Sequence, residues 1–287
     1  MDSIQLRSPE PADTPELGRI CYEAFRGIST RHGFPPDLPD AEAGARVVDL
    51  IQRLPGRFGV AALVNDRLVG SNFMMVADPV AGLGPITVDP ACQARGVGRR
   101  LMEAALAFAA SRGIAQVRLM QDSYNAASLS LYTSLGFEVR EPVGLMQAGP
   151  GAEPHPAIRP AVPDDLAALD EMTRRHYRTS RRHELAAWLE LGHPVMVFEG
   201  GDRLEGYLMP GKLGHGVATN LAVASALISQ ISRYLVDGQN LFFCPLRQAA
   251  LYREALQQGC RLMKVMNLMT FGPYEPPEPT WMPSIAY

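Results

Sequence analysis

Cysteine is scarce in this chain. Its four residues in 287, Cys21, Cys92, Cys244 and Cys260, form no C-x-x-C pair and have no histidine at metal-ligand spacing beside them. That pattern argues against a disulfide framework and gives no reason to expect a metal. Net charge is scarce as well: 27 lysines and arginines nearly balance 30 acidic residues, for a formal −3. Without a global excess of positive charge, nucleic acid and anionic membrane are not expected partners, and any phosphate binding must be local. Long apolar runs are missing too. The longest, around Val217 to Ile228, is interrupted by Thr219, Asn220 and Ser225 and is too short to cross a bilayer. The opening Met1-Asp2-Ser3-Ile4-Gln5-Leu6-Arg7 lacks the apolar core of a secretion signal, so a cytoplasmic location is expected. The 47 % hydrophobic and 20 % charged composition suits packed globular cores, and the length suits two domains.

What the chain does have is a cluster of glycine and arginine at a strand-to-helix junction. Gln93-Ala94-Arg95-Gly96-Val97-Gly98-Arg99 follows the apolar run Gly84 to Pro90 and precedes Leu101 to Phe108, which reads as a buried helix. The first amides of a helix have no intrahelical partner and lie at the positive end of its dipole, which makes them a seat for a pyrophosphate. Gly96 and Gly98 let phosphate oxygens approach the main chain, and Arg95, Arg99 and Arg100 add charge. The spacing fits neither a Walker loop nor a dinucleotide fingerprint. An ordinary surface turn before a helix is the competing reading.

About thirty residues further on stands Asn125-Ala126-Ala127-Ser128-Leu129-Ser130-Leu131-Tyr132-Thr133-Ser134-Leu135-Gly136-Phe137. Asn125 and Tyr132 are two helical turns apart and share a face. Gly136 fits a left-handed helix terminator with Phe137 folding back over the last turn. Asn125 can serve as an N-cap, as a ligand contact, or as both.

In this order and spacing the two segments resemble motifs A and B of the GNAT acyltransferases, whose loop reads Gln/Arg-x-x-Gly-x-Gly/Ala and whose second motif reads Asn-x-x-Ser/Ala-x-x-x-Tyr-x-x-x-Gly-Phe. The resemblance implies an α/β (α+β) fold with a mixed, centrally splayed sheet flanked by helices. It implies acetyl-CoA or another acyl-CoA as co-substrate, with an acyl group passed to a primary amine on a small molecule or peptide. Ile86, Thr87, Val88, Gln93, Ala94, Arg95, Gly96, Val97, Gly98, Arg99, Asn125 and Ser128 are the implied cofactor contacts. Tyr132 is the implied catalytic residue, beside the CoA sulfur, and an amide near Thr87 or Val88 would meet the oxyanion. No acid stands in the strand Gly82 to Val88 where the family often draws a base. Asp78, Asp122 and Glu23 are the remaining candidates, and solvated surface charge is the ordinary reading of each. Cys92 lies near a helix N-terminus, where thiol pKa tends to fall. His176, His183, His193 and His215 read as surface or packing residues. A non-catalytic acyl-CoA-binding module is the alternative function, and transfer to a hydroxyl is a second one. Neither the acceptor nor the oligomeric state is encoded legibly, although residues 28–38 are the expected acceptor determinants.

Periodicity gives strands at Ile4 to Arg7, Phe58 to Asn65, Leu68 to Ala77, around Ile86, at Gln116 to Gln121 and at Glu138 to Val143. Helices are expected at Thr14 to Phe25, Asp40 to Arg53 and in the two motifs, with a mobile segment at 33–39. Residues 1–147 then form a catalytic domain, the Gly/Pro-rich 148–157 a linker, and 158–287 a second domain. The second half echoes the first. Ile158 to Leu166 resembles Leu6 to Asp13, Asp202 to Gly206 resembles Asp66 to Gly70, and Gln248 to Cys260 aligns with Asn125 to Phe137. In that register Gln248 replaces the asparagine and Ala255 the tyrosine, while Gly259 matches Gly136. No phosphate loop precedes the apolar helix Ala222 to Leu235, so the second half reads as a degenerate GNAT-like copy. It ends in a strand-like Leu262 to Phe271 and a proline- and aromatic-rich arm to Tyr287, which either docks on a neighbouring surface or walls the acceptor pocket.

Overall fold

The same strand-to-helix lock occurs in both halves of the chain. Arg7, the last residue of β1 (Ile4–Arg7), meets both carboxylate oxygens of Asp13 at 2.6 and 2.8 Å, and Asp13 also accepts from the Glu10 amide at 2.7 Å. Arg159, in the short strand Ile158–Pro160, meets Asp165 at 2.8 and 3.0 Å, and Asp165 accepts from the Val162 amide at 2.8 Å. A bidentate guanidinium fixes the turn that starts each following helix. In both turns the arginine holds the aspartate below the usual carboxylate range. The sequence echo is therefore also a structural one.

The computed structural model describes residues 3–236 and 238–285. Met1, Asp2, Ala286 and Tyr287, which the reading of both termini included, lie outside the described residues. Contacts divide the chain into two units: residues up to Val117 with Tyr124–Phe137, and Arg118–Ser123 with everything from Glu138 on.

In the first unit, α1 (Thr14–Arg31) precedes α2 (Ala41–Arg53), which Asp40 caps by accepting from the Ala43 amide at 2.7 Å. β2 (Arg57–Val64) and β3 (Arg67–Met75) form a hairpin turned at Asn65 and Asp66, with φ of 49° and 59°. Asn and Asp tolerate that left-handed backbone. β4 (Val80–Val88) completes the antiparallel order β1-β2-β3-β4. Leu17, Ile20, Val48, Ile51 and Phe73 form one core with α1 and α2. Val60, Ala62, Val69, Val97 and Leu101 form another with α3 (Val97–Ser111). α4 (Ala126–Ser134) belongs to this unit as well. Helix α1 runs six residues beyond the expected end at Phe25. In the segment after it, Phe34 stacks on Tyr124 with centroids 4.4 Å apart, and its amide donates to Ser29 O at 2.9 Å.

The second unit contains most of β5 (Gln116–Asp122), then β6 (Glu138–Gln147), β7 (Ile158–Pro160), α5 (Leu166–Tyr177) and α6 (Arg182–Glu190). β8 (Met196–Gly200), β9 (Arg203–Leu208), β10 (Gly216–Ala218), α7 (Leu221–Ser229) and α8 (Ile231–Tyr234) follow. β11 (Leu241–Pro245), α9 (Ala249–Gln257), β12 (Arg261–Phe271) and β13 (Thr280–Met282) complete it. One sheet runs β13-β10-β9-β8-β7, and a second arrangement runs β5-β12-β6-β11. A single core joins Met146, Met196, Leu208, Ala224, Phe242 and Met282. The α/β class expected from the sequence is the class observed.

Three expectations change here. The apolar stretch expected as one helix is two, broken after Ser229, where the Gln230 side chain donates through Nε2 to Glu153 O at 3.0 Å. The segment read as a linker lies within the second unit and is pinned to it. Ala148 N donates to Asn240 O at 2.8 Å, Ser232 Oγ to Gly149 O at 2.7 Å, and Ala152 N to Ser229 O at 3.1 Å. The division also departs from a boundary at 147, because β6 pairs with β12 and β11 and so joins the later part of the chain. The arm docks on its own unit: β13 pairs with β10, and Gln248 bonds both the N–H and the carbonyl of Trp281, at 3.3 and 2.7 Å.

Candidate active site

The loop expected to bind pyrophosphate sits at the N-terminus of α3. β4 ends at Val88, and the next residue, Asp89, donates its amide to Val69 O at 2.8 Å while its carboxylate accepts from the Ala91 amide at 2.9 Å and from Arg19 at 3.1 Å. Arg19 also binds Glu16 and Glu23, and these acids together raise its affinity for a proton. The exit of β4 is thereby tied to α1. Gln93 crosses the turn to donate to Val88 O at 3.2 Å. Ala94 and Gly96 take φ of 61° and 84°, and the chain enters α3 with Gly96 as an N-cap that has no side-chain hydrogen bond. The first donation back into the helix is Arg100 N to Gly96 O at 3.1 Å, so the amides before it have no intrahelical acceptor. Val97 is buried and anchors the helix, while Arg95, Arg99 and Arg100 are exposed around its start.

Motif B lies against motif A. A Cβ built on Gly98 would stand 3.4 Å from Leu131 Cδ2 and 3.8 Å from Val88 Cγ2, and Arg99 Nη2 donates to Ser134 Oγ at 2.7 Å. Asn125 caps α4 by accepting from the Ser128 amide at 3.2 Å, and Ser128 Oγ donates to Asn125 O at 3.0 Å. Tyr132 is buried, with its ring 6.1 Å from Phe137. The helix stops as expected: Gly136 has φ 93°, its amide donates to Thr133 O, and the Phe137 amide donates to Tyr132 O, both at 3.0 Å. That is a Schellman ending. On β4, Ile86 and Val88 are half-buried and Thr87 is buried, its hydroxyl without a partner among the described residues. Motif A, motif B and the end of β4 are therefore contiguous, as the sequence implied.

The second unit has a helix that ends in the same way. Gln248 precedes α9 in the Asn125 position, Ala255 stands for Tyr132, and Gly259, at φ 80°, stands for Gly136. The ending is the same: Gly259 N donates to Leu256 O and Cys260 N to Ala255 O, both at 3.0 Å. At the helix start the two units differ. α7 follows β10 directly and is capped by Asn220, which accepts from the Val223 amide at 3.0 Å.

The other candidates scatter. Glu23 is paired with Arg19 at the surface, and Asp122 is buried with Lys264 at 2.7 Å in the second unit. Asp78 is buried. His176 and His193 bond the Glu278 and Pro210 carbonyls, and His215 meets the Tyr207 hydroxyl at 2.8 Å. Burial lowers the pKa of all three. Burial also pushes the Cys21 and Cys244 thiols up to about 12. Two residues escape sequence reasoning. Tyr124, directly before Asn125, receives Phe34 and His32 on its ring and meets Ser29 Oγ at 3.3 Å. Glu141, an acid inside a strand, is buried.

Residues 24–137 match the family described as Acetyltransferase (GNAT) family. This segment, less than half of the chain, contains both motifs. A mycothiol acetyltransferase of Tsukamurella paurometabola is 42 % identical over 147 residues, which are 49 % of this chain and 50 % of that one. The chain thus spans about half the length of this curated relative. A crystal structure from Pyrococcus horikoshii aligns over 97 % of this chain and 92 % of its own, with TM-score 0.78 and 17 % identity. The GCN5-related N-acetyltransferase of Sphaerobacter thermophilus aligns over 95 % and 97 %, with TM-score 0.63 and 18 % identity. These two share the fold over nearly the whole chain. No helix among the described residues is long and apolar enough to cross a membrane.

Proposed function

We propose that this protein transfers an acetyl or similar acyl group from acyl-CoA to a primary amine, with the motif A loop seating the pyrophosphate and Tyr132 acting at the sulfur. The observation that carries this reading is the start of α3. A left-handed glycine with no side-chain cap leaves the first helix amides without an intrahelical acceptor, between exposed arginines and against the helix that bears Tyr132. Ala94, Arg95, Gly96, Val97, Gly98 and Arg99 hold the diphosphate, Gln93 braces the turn, and Ile86, Thr87 and Val88 line the pantetheine arm. Asn125 and Ser128 support the start of α4.

The chemistry asks little of the protein. A neutral amine attacks the thioester carbonyl, negative charge develops on the oxygen, the C–S bond breaks and the thiolate takes a proton. A main-chain amide at Thr87 or Val88 meets the oxyanion. Full proton transfer from a phenol of ordinary pKa to a thiolate is uphill by about 2 kcal/mol, so Tyr132 acts mainly as a hydrogen-bond donor to the leaving sulfur. The acceptor is a small-molecule or peptide amine, and the name of the Tsukamurella relative favours a small molecule. Residues 28–38, held on Tyr124, shape its choice.

The second unit is a GNAT-like copy that lost its site. It keeps the lock, the hairpin and the helix ending, but Asn220 fills the anion seat and Ala255 removes the donor. One chain therefore binds one CoA. Release of CoA from acetyl-CoA across a panel of amines tests the activity. Titration of the intact protein with CoA tests the count, and two saturable sites would overturn the degenerate reading.

A further inference from the structure

The C-terminal arm lies on the residues of the second unit that correspond in register to the proposed pantetheine strand of the first. On β3 and β4, Gly70 stands opposite Val88, Ser71 opposite Thr87 and Asn72 opposite Ile86. On β9 and β10, Gly206 stands opposite Ala218, Tyr207 opposite Val217 and Leu208 opposite Gly216. Since Asp202 to Gly206 echoes Asp66 to Gly70, Gly216–Ala218 takes the place of residues 86–88. β13 pairs antiparallel with those same three residues, Met282 on Gly216, Trp281 on Val217 and Thr280 on Ala218. β11, which precedes α9 as β5 precedes α4, pairs with β6, and β13 packs against it as well as against β10.

Gln248 supplies a second, independent observation. At the matching position Asn125 turns its side chain back to cap α4. Gln248, one methylene longer, makes no side-chain cap at α9. Its Nε2 donates instead to Trp281 O at 2.7 Å, and its Oε1 accepts from the Trp281 amide at 3.3 Å. Gripping both the N–H and the C=O of one extended residue is how an added strand is held. Pantetheine offers the same groups, two secondary amides on an extended chain. The arm beyond is fixed within the same unit. Tyr177 donates to the Met282 carbonyl, Arg181 Nη2 to Ser284 Oγ at 3.1 Å, and the Ile285 amide to Lys212 O at 2.7 Å. Thr280, Trp281, Met282 and Ser284 are all buried.

We infer that Thr280–Met282 is a tethered stand-in for the amide-bearing arm of an acyl-CoA, so that the groove between β10 and Gln248 is shut by the chain itself and takes pantetheine when the arm lifts; this rests on reading the second unit as a GNAT-like copy. Neither the motif A loop nor Tyr132 is involved. Hydrogen–deuterium exchange of residues 280–285 is the measurement, made on the full-length protein with CoA in excess to fill the first unit. Pantetheine is the probe, and cysteamine, which has the thiol without the amides, is the control. A ligand that binds only the lifted form multiplies its population by one plus the ratio of ligand concentration to Kd. At about 50 mM pantetheine and a Kd of about 1 mM, exchange of this segment should quicken about fiftyfold while that of α2 stays unchanged. Gln248→Ala should quicken it at least about tenfold without any ligand, through two lost hydrogen bonds. Exchange at 280–285 that ignores pantetheine, that responds equally to cysteamine, or that is the same in Gln248→Ala overturns the assignment. Absence of CoA binding would overturn the acyl-transfer reading instead, because the response of the arm to pantetheine is read separately.

Discussion

Arg99 Nη2 donates to Ser134 Oγ at 2.7 Å, tying the first turn of α3 to the last residue of α4. The arginine therefore has two tasks available: bracing the helices and neutralising a phosphate. Arg99→Ala should weaken CoA binding several-fold, whereas Ser134→Ala, which removes the brace alone, should leave affinity nearly unchanged. Isothermal titration of both variants separates the tasks, and equal losses would make Arg99 a purely structural residue. For an exposed pair the stability cost should stay below about 1 kcal/mol.

Gly98→Glu should abolish CoA binding in a protein that still folds. The Cβ has ordinary contact room against Leu131 and Val88, so packing tolerates the change. The added carboxylate then lies at the helix start where the diphosphate must come, and like charges repel. CoA affinity near that of the unaltered protein, with the circular dichroism spectrum intact, would remove the phosphate-loop assignment.

Tyr132→Phe should keep acetyl-CoA affinity within a few-fold and lower turnover by on the order of 10², the usual scale for a lost proton donor. The ring stays packed near Phe137, so a fall in thermal stability comparable to a core truncation is not expected. Unchanged kcat would make Tyr132 a packing residue and favour a binding module over an enzyme.

Glu141→Gln should stabilise the fold in alkaline solution. Burial raises the carboxyl from 4.5 to about 7, so the folded state holds its proton longer than the unfolded chain does. Stability contributed by the protonated form is then lost as pH rises from about 4.5 through 7. The variant should melt a few degrees higher at pH 8, with the gain shrinking toward pH 5, on the scale that about 1 kcal/mol shifts a domain of this size by a few degrees. Scanning calorimetry at both pH values gives the comparison, and a gain independent of pH would remove the Glu141 charge as its cause.

The legible parts of the fold are those that local rules determine. Asp40 and Asn125 cap helices and Gly136 ends one, because each acts on amides or carbonyls a few residues away. What escaped depended on partners far along the chain. Nothing local to Glu141 announces its burial, or that residues 261–271 will pair with its strand. The break at Gln230 likewise answers to Glu153. Residues 148–157 have the composition of a linker, yet their carbonyls and amides find acceptors and donors on the helices and loop near 229–240.

The place of β12 bears on how the molecule is made. Asn267 donates to Gln121 Oε1 at 2.8 Å, the Ser123 amide to Val265 O at 3.2 Å, and nine residues of β12 pair with β6. On a ribosome, strands β5 and β6 emerge more than a hundred residues before the strand that separates them. Their edges must wait, unpaired and open to wrong partners, until β12 emerges. Emergence of β12, rather than completion of the motif-bearing segment, is the event that closes the β5-β12-β6 arrangement, and a product stalled before it would leave two exposed strand edges.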